Sequence, residues 1–457
     1  MKYPFHLVAG AVAVATVLAA PDPAWAADGD DLAAIKSSID ALRKDYEARL
    51  SDLEARLKKA EAEAAAAKAS AVAAQTAARE AKNEASNQAA PAPVVAAPSH
   101  VPSAANAFNP GIAGVLNGTY GAYSRDPETA AIPGFALGEE AGLGDRGFSL
   151  GESEISLSAN IDPYLFGNLT VSFDGDEVEV EEAYVQSTHL GHGFTVKGGR
   201  FFSGIGYINE RHAHDWSFVD ASLPYRAFLN GQYGDDGVQV RWLAPTEQFL
   251  EFGAEWFRGD AFPAGGSANN GKGTYSAFVH TGGDINDASS WLIGASYLRT
   301  LASERDTDGD LFSGKDNLGI FSAVYKWAPG GNPVERNLVL SGEFFFDRQE
   351  GEFNTIPVDD DRFGWYVQGV YQFMPRWSVG ARYAALGGVN ADAALAGTVL
   401  DPQGHDPHAT TALLEYDTSE FGRFRVQYTY DQSDLEPSNE LLFQYTVIFG
   451  PHGAHRY

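Results

Sequence analysis

Histidines and carboxylates recur in short groups that could hold a metal ion. His212-Ala213-His214 and Gly404-His405-Asp406-Pro407-His408 set imidazoles beside acids, and His452-Gly453-Ala454-His455 adds a pair near the end of the chain. Neutral imidazole nitrogen and carboxylate oxygen are ligands that zinc accepts. His212, His214, His405 and His408 are therefore candidate metal ligands, and zinc as a bound or transported ion is the one metal expectation; no cofactor is required. Neither group shows a recognised ligand spacing with further donors beside it, and solvated loop histidines are the plain alternative. Asp306-Thr307-Asp308-Gly309-Asp310 alternates oxygen ligands around a glycine as a calcium loop does. It lacks the later bidentate Glu, which favours a flexible acidic loop.

A second kind of chemistry is concentrated in residues 203–234. Tyr207, Glu210, Arg211, His212, His214, Asp215, Asp220 and Arg226 fall there and mix both signs of charge. Folded into a water-filled passage, such a segment narrows it and selects solutes by size and sign. Packed on a rim, it is only an ordered loop. Glu152, Glu154, Arg241, Glu251, Glu255, Arg382, Arg423 and Arg425 lie on the polar faces of alternating segments. Opposed rows of acids and bases would set a field across a lumen, whereas salt-bridged rows would only stiffen a wall. Ser, His and Asp are present without a G-x-S-x-G elbow or a comparable arrangement, so no enzyme is expected. Cysteine is absent, which removes thiolate metal sites, disulfides and a cysteine nucleophile.

The elements that must position these residues are strands. From residue 108 onward, segments of about nine to thirteen residues alternate apolar with polar or small side chains, the period of a strand with one greasy face. Ile155, Leu157, Ala159 and Ile161 oppose Glu152, Glu154, Ser156 and Ser158; Phe424, Val426, Tyr428 and Tyr430 oppose Arg423, Arg425, Gln427 and Thr429. Leu250 to Trp256 and Phe363 to Phe373 repeat the pattern. Glu177 to Gln186 loses phase where Glu182 follows Glu181, as a β-bulge would make it. About sixteen strands are expected, joined alternately by short turns, such as 161–164, 245–248 and 374–375, and by long loops at 124–146, 203–234, 259–273, 304–314, 350–361 and 387–406. The pattern predicts an all-β transmembrane barrel of antiparallel strands with short turns in the periplasm, long loops outside and both chain ends on the periplasmic side. The His452/His455 pair would then lie across the membrane from the other two groups. Tyr (20), Phe (28) and Trp (8) suit the aromatic girdles of such a barrel, and the closing Tyr457 suits the terminal aromatic read by the barrel-assembly machinery.

Three simpler segments precede the barrel at 108–457. Residues 1–26 read as a secretory signal, with Lys2, an apolar run from Leu7 to Ala20, and the cleavage pattern Ala24-Trp25-Ala26. Residues 27–85 read as an α-helical coiled coil in the periplasm, its seam carried by Leu32, Ile35, Ile39, Leu42, Tyr46, Leu50, Leu53 and Leu57. A single helix cannot bury that stripe, so a homo-oligomer is implied, with a trimer as a plausible state. Residues 86–107 form an Ala/Pro-rich linker. Lys+Arg 32 against Asp+Glu 61 gives a formal charge of −29, which excludes nucleic acid as a partner. Outer-membrane lipid is the expected partner instead, with cell-wall contact through the stalk as a further one.

The stretch 108–457 resembles a proteobacterial outer-membrane family often labelled zinc-regulated TonB-dependent outer-membrane receptor. The resemblance rests on Asn117-Gly118-Thr119-Tyr120, Ile132-Pro133-Gly134-Phe135-Ala136-Leu137-Gly138, Gly199-Arg200-Phe201-Phe202-Ser203, Tyr225-Arg226-Ala227-Phe228, Gly231-Gln232-Tyr233-Gly234-Asp235-Asp236-Gly237 and the closing Gly450-Pro451-His452-Gly453-Ala454-His455-Arg456-Tyr457. It implies a Gram-negative outer-membrane protein expressed under zinc control. The region ahead of the barrel is too simple for the plug of a TonB-dependent receptor, so the expectation is a porin-like channel for small solutes, with divalent metal ions or their chelates as candidates. A cell-wall tether, with the barrel as an anchor, is the alternative.

Overall fold

The computed structural model describes residues 110–450 apart from 176, 308, 390 and 391, together with the isolated Lys44. The expected signal, coiled coil and linker, and the pair His452 and His455, lie outside the described residues. Alternating sequence becomes strand throughout: β1 Gly111–Tyr123, β2 Gly147–Ser149, β3 Ser153–Asn160, β4 Leu165–Asp174, β5 Glu177–Ser187, β6 Phe194–Phe202, β7 Gly234–Leu243, β8 Phe249–Phe257, β9 Thr274–Asn286, β10 Ser289–Thr307, β11 Asp310–Trp327, β12 Asn337–Phe353, β13 Ile356–Met374, β14 Trp377–Gly387, β15 His408–Ser419, β16 Gly422–Gln432 and β17 Ser438–Phe449. From β3 to β17, each strand pairs antiparallel with the next, and β1 pairs with both β17 and β3, which closes the sheet. Because β2 and β3 both lie against β1, they are one interrupted stave, and the wall is a 16-strand antiparallel barrel among the described residues. Closure leaves no edge of unpaired backbone N–H and C=O groups, the condition for a sheet to span lipid.

The two faces separate as the alternation predicts. Ile155, Trp256, Val367, Phe424 and Phe443 point outward and are exposed, while Glu154, Glu255, Gln368, Arg425 and Gln444 between or beside them are buried within. An uncharged, greasy exterior with a polar interior is the signature of a transmembrane barrel. The register shift between Thr170 and Val171, opposite Glu182 and Val180, places a bulge at Glu181 where the sequence phase breaks. Gly114 pairs with Phe449, so the first and last strands bring the two ends of the described barrel together on the short-turn side.

Two expected loops prove to be wall. Residues 304–314 and 350–361 fall mostly within the hairpins β10–β11 and β12–β13, which run on to Thr307/Asp310 and Phe353/Ile356. The reason is packing: Phe312, Phe353 and Val358 alternate inward and join a dry cluster with Leu395 and Leu400 of the segment between β14 and β15. Apolar anchors of this kind hold the extended hairpins in register. Asp306 there accepts from the Gly309 backbone N–H at 2.8 Å, a turn cap within the acidic stretch.

Candidate functional site

The connection between β6 and β7, residues 203–233, turns into the barrel and carries the helix α1 Leu223–Leu229. Pro224 suits a first-turn position, where its missing N–H is no loss, and Asn230 ends the helix in the left-handed region with φ 57°. Every residue of α1 is buried. Ile205, Leu223, Phe228 and Leu229 pack with Phe345, Leu318 and Leu386 of the wall and with Ile132 and Phe135 of the loop between β1 and β2. This apolar core inside a polar-lined barrel is what holds the loop inward, since apolar area removed from water contributes roughly 25 cal/mol per Å².

The base of the loop is fixed by buried carboxylates. Glu255 accepts from the Ser203 hydroxyl and, at 2.9 Å, from the Gly204 N–H. Glu343 on β12, 3% exposed, accepts from the Tyr207 N–H at 2.7 Å, the Tyr225 hydroxyl at 2.9 Å and the Tyr366 hydroxyl at 2.6 Å. Between them Gly206 adopts φ +66°, and a Cβ there would lie 2.6 Å from the Tyr225 hydroxyl and 2.7 Å from Glu343 Oε1. Only glycine satisfies both the dihedral and the approach.

The far side of the loop is pinned to the opposite wall. Asp220 accepts from Arg382 at 2.6 Å and from Gln427 at 2.7 Å, and Gln427 accepts the Val219 N–H at 2.9 Å. Arg425 donates to the Trp216 carbonyl at 2.8 Å, and Arg423 donates to the His214 carbonyl. Arg226 donates to the Ala141 carbonyl at 2.8 Å and lies 3.7 Å from Asp431. Most of the predicted inward residues fall into two sets. Asp220, Arg226, Glu255, Arg382 and Arg425 are fasteners shielded by the loop and do not face an open lumen. Tyr207, Glu210, Arg211, His212 and Asp215 line a cavity of about 1220 Å³ together with Arg241, Glu251 and Arg423. Pro375, Arg376 and Glu420 also border it, which places it on the short-turn side of the loop.

Within the cavity wall Glu210 pairs with Arg241 and lies 3.5 Å from Lys197. The cations Arg241 and Lys197 beside it hold its carboxyl below the usual range. Arg241 also reaches Glu251 at 3.4 Å. Glu152 lies just ahead of β3 and hydrogen-bonds Glu181.

The densest group of titratable side chains surrounds the first histidine pair. His212 Nδ1 lies 2.9 Å from Glu181 and 3.2 Å from Glu154, and its Nε2 lies 3.2 Å from Glu182. His214 Nδ1 lies 2.7 Å from the other oxygen of Glu154. Burial opposes charge on His212, but Glu154, Glu181 and Glu182 outweigh it and hold its pKa well above the ordinary value. Ligand atoms of Glu154, Glu181 and His212 lie within 4.8 Å of one another, so these three could hold a metal ion. Sequence reading did not find Glu181 and Glu182 as members; the broken phase there was the available signal, because a bulge turns two successive residues inward. His405 and His408 sit elsewhere, each with a ring nitrogen 2.9 Å from a backbone carbonyl, of Gln432 and Asp406 respectively.

A protein of Aquifex aeolicus (strain VF5), described only as uncharacterized, is 30% identical to this chain over 388 residues, covering 78% of this chain and 81% of its own length. The chain belongs to the family of that protein. No family model matches it. Solved structures of similar shape include a loop L8 deletion mutant of OmpT, an outer membrane protein of Vibrio cholerae, at 12% identity and TM-score 0.48 over 75% of this chain and 100% of that one. The anion-selective porin from Comamonas acidovorans gives 11% and 0.48 over 75% and 99%. The outer membrane channel DcaP of Acinetobacter baumannii gives 11% and 0.47 over 75% and 97%.

Proposed function

We propose that this protein is a porin-like channel of the bacterial outer membrane, with the loop 203–233 as its constriction and the cavity of about 1220 Å³ as the vestibule on the short-turn side. The observation that carries this reading is the inward loop, fastened at its base to Glu343 and across the lumen to Arg382 and Gln427. A barrel serving only as an anchor has no need of a fastened loop above a chamber of this volume. In the vestibule Glu182, Glu210, Asp215, Glu251, Glu415, Asp417 and Glu420 outnumber Lys197, Arg211, Arg241, Arg376 and Arg423, which favours small cations over anions. Divalent metal ions or their chelates are solutes of the right sign and size, and a trimer is the expected assembly. Purified protein in planar bilayers should give discrete conductance steps with a reversal potential displaced toward cation selectivity, including under a zinc gradient. Folded protein that inserts and yields no conductance above the lipid baseline refutes the channel, and a reversal potential displaced toward anions refutes the selectivity.

A further inference from the structure

We infer that Glu154, Glu181 and His212 form a binding site for one divalent transition-metal ion of the zinc class, which clamps the constriction loop onto β3 and β5. The three ligand atoms come from three separate stretches of chain and converge within 4.8 Å. The Nδ1 to carboxylate separations of 2.9 and 3.2 Å are close to the edge of about 3.3 Å that a tetrahedron with zinc bonds of about 2.0 Å requires.

The surrounding groups orient these ligands. The Nε2 of His212 faces Glu182 at 3.2 Å, so in the neutral ring that an ion selects the N–H donates there and the Nδ1 lone pair meets the ion between Glu154 and Glu181. A carboxylate behind a ligating imidazole is the common supporting arrangement at zinc sites. His214 Nδ1 holds the second oxygen of Glu154 at 2.7 Å, and Glu152 hydrogen-bonds Glu181. The bulge at Glu181 makes this possible, because without the register shift Glu181 and Glu182 would point to opposite faces.

Charge points the same way. Among the described residues, the ion-pair partners of Glu154, Glu181 and Glu182 are the imidazoles of His212 and His214. Burying several carboxylates against imidazoles alone leaves negative charge uncompensated, at a cost of several kcal/mol per ion. A divalent cation compensates it at one point. Calcium fits poorly, since it takes six to eight oxygen ligands and no imidazole. His212 and Glu182 border the vestibule, so the imidazole side of the site lies beside the passage. The inference goes beyond the channel reading and is tested without a membrane.

The full-length protein, folded in detergent and stripped with chelator, is titrated with zinc chloride by calorimetry and by competition against a chromophoric chelator. One zinc per chain is expected. His212→Ala and Glu181→Gln should weaken it by about 100-fold or more, and Glu182→Gln by about 10-fold, while His405→Ala with His408→Ala leaves it unchanged. X-ray absorption of the unsubstituted zinc-loaded protein gives a readout that needs no variant: one imidazole nitrogen with oxygen donors supports the site. Absence of stoichiometric binding, binding unchanged by His212→Ala or Glu181→Gln, or a shell with two or more imidazoles overturns it.

Discussion

Replacing Glu343 by Ala should release the constriction loop while leaving the barrel wall closed. The carboxylate accepts three hydrogen bonds, from the Tyr207 N–H, the Tyr225 hydroxyl and the Tyr366 hydroxyl, in a setting that water does not reach. A hydrogen bond to a charged group is worth about 1.5–3 kcal/mol, and a donor left buried without a partner costs about 1–3 kcal/mol. Two of the three bonds, from Tyr207 and Tyr225, tie the loop to the wall, while Tyr366 lies on β13 within the wall, so about 3–6 kcal/mol is the upper range of the loop docking lost. At about 1.4 kcal/mol per factor of ten, the undocked population rises by about 100- to 10,000-fold. The wall survives because its ladder is backbone to backbone and β12 keeps both neighbours. Single-channel recording should show larger conductance or rapid gating noise, and limited proteolysis should cut within 203–233 in the otherwise folded protein. Glu343→Gln, which keeps an acceptor, should lie between the parent and Glu343→Ala. Traces and protease protection identical to the parent's in Glu343→Ala would falsify the claim that this carboxylate holds the loop.

Gly206→Ala should reproduce the loosened loop, since the added methyl meets both Tyr225 and Glu343 in a backbone region that alanine avoids; unchanged proteolysis would refute this. Val367→Arg, on the exposed face of β13, should cost about 2–4 kcal/mol of folding stability in lipid if that residue meets hydrocarbon near the midplane, measured by denaturant titration in vesicles, and an unaffected midpoint would place Val367 away from lipid. Glu140, in the loop between β1 and β2, is pushed up from 4.5 to about 7 by its crowded surroundings and by Glu179. The docked loop therefore holds a proton that the free loop releases: the contribution to docking is full below about pH 4.5 and is lost as pH rises through about 7. Proteolysis of 124–146 should be faster at pH 8 than at pH 5, and Glu140→Gln should flatten the difference; a pH-independent cleavage rate in the parent would contradict the sign.

The strand faces were legible from residue order because the period of two is a local property. Arg423 to Asp431 assigns its own inside and outside, and closure of the sheet only selects which face meets lipid. The phase break at Glu181-Glu182 likewise announced a bulge, whereas the crowding of charge in 203–234 fitted an inward loop and a rim loop equally. Hidden from the sequence were the pairings that depend on the barrel's circumference. Tyr225 meets Glu343 across 118 positions and Asp220 meets Gln427 across 207, and no local period encodes such distances. The segments 304–314 and 350–361 looked like loops because their acids and glycines resemble turns, while Leu395 and Leu400, against which their own Phe312, Phe353 and Val358 pack, come from another connection. His212 and His214 were visible as candidate ligands, but Glu154, Glu181 and Glu182 reach them only when two strands and an inward loop converge. Periodicity along the chain therefore settled the wall, and closure of the wall around the loop decided which of its side chains meet.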